Sequence, residues 1–112
     1  MAAIEVTVAD DGRTILASRG DEIVFVLPEN ATTGYRWHVD EPDDMLRLVS
    51  DGYRQVAETA GAEPVFGRGG LRELRVEVAG SGTATMSLKL WREWEGDSSV
   101  TQRVAVVIDA SD

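Results

Sequence analysis

The chain has 112 residues, room for one domain of ordinary size, and its 43% hydrophobic content argues for a packed core and against wholesale disorder. A net charge of −9 argues against a nucleic-acid partner, whose phosphates need a positive footprint, and the absence of cysteine removes disulfides, thiolate metal sites and a cysteine nucleophile together. No apolar run approaches the roughly 20 residues that cross a bilayer, and Met1 to Val6 carries no basic and apolar leader, so the expectation is a cytoplasmic protein or a mature exported form with its signal removed.

Alternation of apolar and polar residues, the period of a half-buried strand, runs through the sequence. Ile4, Val6 and Val8 alternate with Glu5 and Thr7. Asp10-Asp11-Gly12 reads as a hairpin turn into a short strand at Thr14-Ile15-Leu16. After a turn at Ser18 to Asp21, Ile23, Phe25 and Leu27 alternate with Val24 and Val26, which predicts a strand covered on both faces. Tyr35, Trp37 and Val39 share one face of the next strand, and Arg36 and His38 share the other. Met45 to Ser50 and Tyr53 to Ala57 read as two short strands around Asp51-Gly52, and Glu58 to Gly70 as a long loop. Leu74, Val76 and Val78 predict a strand, as do Ala84, Met86, Leu88 and Leu90 beyond the turn at Ala79 to Gly82. A last strand is expected from about Val100 to Ile108.

No segment sustains a helical period. Seven to nine short strands separated by turn signals predict an all-β, immunoglobulin-like β-sandwich without disulfides, spanning residues 1–112 as one domain, with Trp37 as its core tryptophan. In such a sandwich the loop at Asn30, Ala31, Thr32, Thr33, Gly34 and Tyr35 and the last hairpin tip fall at the same end. The long loop that closes on Gly67, Arg68, Gly69 and Gly70 can join them, giving a three-part binding surface.

The chemistry of an enzyme is hard to assemble from these residues. His38 is the one histidine, on a strand face opposite Trp37, and nothing in the sequence orients it with Asp40 and a serine. Gly67 to Gly70 lacks the Lys-Ser/Thr of a phosphate-binding loop and opens a strand, not a helix. Its bare backbone suits main-chain pairing with a partner. Arg92, Glu93 and Trp94 precede the polar, turn-forming run Glu95 to Ser99, so Trp94 is either folded back on the core or offered to a partner. Tryptophan and arginine are the residue types that dominate interface energetics. No cofactor is called for.

Three stretches in order, Asn30-Ala31-Thr32-Thr33-Gly34-Tyr35, Gly67-Arg68-Gly69-Gly70 and Arg92-Glu93-Trp94, resemble the loop motifs of the chagasin family, which inhibits papain-like cysteine proteases. The resemblance implies a sandwich whose three loops wedge reversibly into the protease cleft. Thr32, Thr33 and Gly34 would lie over the catalytic residues of the protease, with Asn30 and Tyr35 shaping that loop. Gly67 to Gly70 would line one wall, and Arg92 and Trp94 the other. A wedge needs its loops uncovered, so the free form is expected to be a monomer. The family usually carries proline at the positions of Ala31 and Glu93. Loss of a proline loosens a free loop by about 0.4–1 kcal/mol where its geometry suits the native fold, which bears on potency and target range. Those same two departures leave room for a non-inhibitory binding module that uses the same loops.

Overall fold

The computed structural model describes residues 3–30, 33–40, 43–55 and 70–112. Eight strands occupy them: β1 (Ala3–Val6), β2 (Thr14–Ser18), β3 (Glu22–Glu29), β4 (Arg36–Asp40), β5 (Leu46–Gln55), β6 (Gly70–Val78), β7 (Gly82–Trp91) and β8 (Gln102–Ser111). They form two four-stranded sheets, in the orders β1-β3-β6-β5 and β2-β8-β7-β4. The β1–β3 and β2–β8 pairs are parallel and the remaining pairs antiparallel. The alternating apolar residues meet between the sheets: Phe25, Leu27, Leu74 and Val76 from one, and Trp37, Leu88, Val104 and Val106 from the other, all buried. This is the immunoglobulin-like sandwich that the alternation predicts.

Four details differ from the sequence reading. Asp10-Asp11-Gly12 is not a hairpin turn. β1 and β2 belong to different sheets, and a 3-10 turn at Val8–Asp10 carries the chain between them. The Asp10 carboxylate accepts the Thr7 N–H at 2.8 Å, and that bond, with Arg13 adding to it, holds its pKa below the usual value. Asp11 then accepts the Ala105 N–H at 2.8 Å, clipping the crossing onto β8.

Nor do two strands flank Asp51-Gly52. β5 runs unbroken, with a bulge between Leu48 and Ser50. One inserted residue inverts the alternation, and that inversion mimics a turn in sequence. Beyond the bulge, Asp51 and Tyr53 take up register opposite Leu74 and Arg72. The residues expected to extend that strand, Val56 and Ala57, lie outside the described residues. Gly70 is the first residue of β6, not part of a loop. The last strand begins at Gln102, because residues 93–99 form 3-10 turns kinked at Gly96. β3 meets its two-faced expectation in part: Val24 is buried, whereas Val26 is half-buried.

Candidate functional site

Two connections meet at one end of the sandwich, among the described residues. The segment between β3 and β4 crosses from one sheet to the other. Thr33 donates from both its N–H (3.2 Å) and its hydroxyl (2.7 Å) to the Asn30 carbonyl, and its Oγ1 accepts the Tyr35 N–H at 3.3 Å. These local bonds fold the segment into a tight turn that needs a left-handed residue, and Gly34 supplies it at φ 80°.

The tip of the β7–β8 hairpin is built differently. The Thr101 N–H donates to the Leu90 carbonyl at 3.0 Å, closing the strands. Ser99, buried, accepts the Arg92 N–H at 2.9 Å, and its own hydroxyl points to the Gly96 and Arg92 carbonyls at 2.6 and 3.0 Å. The tip curls over the outer face of its sheet. There Lys89 binds Asp97 at 3.0 Å and lies 3.8 Å from the centre of the Trp91 ring. The hydrogen bond from Lys89 lowers the Asp97 pKa.

The two connections touch. The Arg92 guanidinium donates through Nε to the Thr33 carbonyl at 3.0 Å, lies 4.5 Å from the Tyr35 ring centre and pairs with Glu95 at 3.1 Å. Trp94 is 72% exposed, yet the edge of its indole rests on Gly34. A Cβ added at Gly34 would sit 2.6 Å from Trp94 Cη2. Gly34 therefore serves both the turn and the close approach of the ring. Trp94 is offered outward, as one of the two sequence readings has it. Glu93 stands exposed beside it.

The third connection, 56–69, lies outside the described residues, and with it Gly67, Arg68 and Gly69. Ala31 and Thr32 of the first connection lie outside them too. The roots of the third connection are nevertheless in place. Gln55 pairs with Gly70, and Gly70 pairs with Glu29, next to Asn30. The structure thus joins Asn30, Thr33, Gly34, Tyr35, Arg92, Glu93 and Trp94 at one end, with Gly70 at the root of that end.

A cleft of about 320 Å³ runs beside the Trp94 indole, walled by Gly34, Arg36, Asp51, Trp91 and Glu93. An apolar hollow of about 330 Å³ opens elsewhere, on the flank between the edge strands β4 and β5. Among the described residues, the His38 ring stacks on Trp91 with centres 5.4 Å apart, and the Asp40 carboxylate is paired with Lys89 and Arg103. Among the described residues, no cluster of metal-binding side chains occurs and no helix is long and apolar enough to cross a membrane.

Sequence reasoning misses the pair that underlies the first loop. The Glu29 side chain is 1% exposed and accepts from Arg72 Nη2 at 2.6 Å and Nε at 3.1 Å. Its Oε1 accepts the Trp37 N–H at 2.7 Å, and the Trp37 indole N–H donates to the Pro28 carbonyl at 2.8 Å. Hydrogen bonding to Glu29 raises the Arg72 pKa further. The signal was strand parity: Glu29 continues Ile23, Phe25 and Leu27, and Arg72 precedes Leu74 and Val76, so both charges fall on the inward face.

Comparison with known proteins fits this geometry. Residues 17–108 match the family described as chagasin family peptidase inhibitor I42, and the chain belongs to that family. It is accordingly a peptidase inhibitor and not an enzyme. It is 28% identical to chagasin of Trypanosoma cruzi over 96% of this chain and 97% of that protein. It is 32% identical to amoebiasin-2 of Entamoeba histolytica over 84% of this chain and 75% of that protein. Among solved structures, the cysteine protease inhibitor EhICP2 from Entamoeba histolytica superposes with a TM-score of 0.80 at 27% identity, covering 98% of this chain and 96% of that one.

Proposed function

We propose that the protein is a reversible inhibitor of papain-like cysteine proteases, and that the loop-bearing end of the sandwich is the surface that fills the protease cleft. The observation that carries this reading is the contact between the two described loops, where Arg92 holds the Thr33 carbonyl and Trp94 packs on Gly34. Two loops fixed to each other present one surface, and a surface ordered before binding loses less free energy to ordering on binding.

The inhibitor supplies no chemistry in this reading. Thr32, Thr33 and Gly34 cover the catalytic groups of the protease, with Asn30 and Tyr35 shaping that loop. Arg92, Glu93 and Trp94 lie on one wall, and Gly67, Arg68, Gly69 and Gly70 along the other. An exposed tryptophan beside an arginine is the composition of an interface hot spot. A wedge of this kind buries an interface of standard size, roughly 1,600 Å² in total. The charge of −9 favours encounter with a basic protease surface.

The test is a titration of papain and a cathepsin L-type protease with the protein, followed with a fluorogenic peptide. Reversible, substrate-competitive inhibition that weakens by at least tenfold in Trp94→Ala is expected. A folded protein that leaves both enzymes fully active at micromolar concentration overturns the reading.

A further inference from the structure

The segments 30–35, 56–69 and 92–101 are not rooted in the same way. The 56–69 segment is rooted in the β5–β6 ladder, where Gln55 pairs with Gly70, and the hairpin tip is rooted in the β7–β8 ladder, where Leu90 pairs with Gln102. The 30–35 loop has no such ladder, because β3 and β4 lie in different sheets. What spans its mouth is made of side chains. Glu29 at the end of β3 accepts the backbone N–H of Trp37 on β4, and the Trp37 indole returns a bond to the Pro28 carbonyl.

Glu29 would not hold that place alone. An unpaired buried carboxylate is costly. Arg72 supplies the partner, gripping the carboxylate side-on through Nε and Nη2 while Nη1 binds Asp51 at 2.9 Å. The guanidinium also lies 5.5 Å from the Tyr53 ring centre. Arg72 thereby fixes Glu29 against β5, two residues from the root of the 56–69 segment.

We propose that Glu29 and Arg72 are positioning residues of the inhibitory surface: the ion pair acts through the Trp37 N–H to close the sheet-crossing loop and hold it at a set distance from its neighbours. The proposal rests on reading that end as the protease-binding surface. It differs from a purely structural role in what it predicts for an apolar replacement. Exchanging a buried ion pair for apolar residues of similar volume is often neutral or stabilising, so a pair that serves only stability is dispensable. A pair that positions the loop is not.

The decisive protein is Glu29→Leu/Arg72→Met, compared with the parent by thermal melting, by amide hydrogen exchange on the free protein and by inhibition of papain. The expected result is a folded protein with a Tm near that of the parent, the relief of the buried ion pair offsetting the lost acceptor for the Trp37 N–H. Exchange at Thr33 and Tyr35 is expected to be at least tenfold faster, with the β7–β8 amides unchanged and inhibition at least tenfold weaker. A folded double variant with parental loop exchange and parental inhibition overturns the proposal. Glu29→Gln guards against a double variant that fails to fold, since it keeps the side-chain shape and an acceptor for Trp37 while removing the charge. It is expected to speed exchange at Thr33 and Tyr35 and weaken inhibition about threefold to tenfold, and no change in either measurement overturns the proposal equally. If the parent itself does not inhibit papain, the functional reading fails, and loop exchange in the free variants still decides whether the pair positions the loop.

Discussion

The sheet-crossing loop at residues 30–35 and the hairpin tip at residues 92–101 reach the same end of the sandwich by different means. The hairpin tip inherits its position from a backbone ladder, and Ser99 and the Lys89–Asp97 pair then fold it down over its own sheet. The crossing loop inherits nothing from a ladder. Its mouth is spanned by Glu29, Arg72 and Trp37, and its tip is held by Gly34 and by an arginine reaching from the other loop. One loop is thus expected to be robust to side-chain change at its root and the other sensitive to it. The Arg92 and Trp94 contacts tie the crossing loop to the hairpin.

Substitutions along that contact separate the two cases. The largest effect is expected from Gly34→Ala, which forces a Cβ into a left-handed conformation and into the Trp94 ring. Strain of this kind costs about 1–3 kcal/mol, or roughly 5- to 150-fold in affinity. Inhibition kinetics check the part of this cost that the free loop escapes by relaxing, and any part it cannot escape lowers the Tm by about 4–8 °C per kcal/mol.

Arg92→Lys comes next. A lysine keeps the charge but cannot bind the Thr33 carbonyl, pair with Glu95 and stack on Tyr35 together. A loss of about 1–1.5 kcal/mol, roughly tenfold in inhibition, is expected. Faster amide exchange at Tyr35 than at Thr101 would confirm that the crossing loop, not the hairpin, is the side that loosens.

Ser99→Ala removes a buried hydroxyl bonded within the hairpin tip. It should cost about 1 kcal/mol, appearing as weaker inhibition with the Leu90–Gln102 ladder intact by hydrogen exchange.

Glu93→Pro acts in the opposite direction. Glu93 opens the 3-10 segment, and Arg92 before it has φ −100° and ψ 111°, an extended geometry that a following proline accepts. A gain of about 0.4–1 kcal/mol, roughly two- to fivefold, is expected in the inhibition constant.

The smallest effect is the response to acid. The Asp97 pKa is lowered in the folded protein by its bond to Lys89, from an ordinary value of 3.8. Stabilisation from a depressed carboxylate is complete above its unfolded pKa and fades as pH falls through its folded pKa. The hairpin anchor should therefore be intact at pH 5 and above and weaken only below pH 3.8. Asp97→Asn should flatten that acid limb in a melting curve measured against pH.

Most of the sandwich was legible from alternation alone, because a strand with one buried face writes its period directly into the sequence. β4, β6 and β7 bury their predicted apolar faces, as β3 does at Ile23, Phe25 and Leu27. Two kinds of feature hid. The bulge in β5 inverts the alternation without a glycine or proline at the inserted position, Val49, so it looked like a strand break. Sheet crossings are the other: Asp10-Asp11-Gly12 is equally good chemistry for a hairpin and for a crossing, and only the partner strand decides. At the site, Gly34 and Trp94 were legible as residue types but their contact was not. Glu29 and Arg72 were missed altogether: parity puts both charges inward, but only the pairing of β3 with β6 brings them together.

The end bearing Thr33, Gly34, Arg92 and Trp94 is the one expected to meet the protease. The most direct measurement is the amide hydrogen-exchange footprint of the protein in complex with papain whose catalytic cysteine is blocked by a small group. Protection at Thr33, Tyr35 and Arg92 to Glu95, with none at the opposite end around Asp21 and Gly80 to Thr83, is the predicted result. Protection confined to the opposite end, or to the β4–β5 flank, would contradict it.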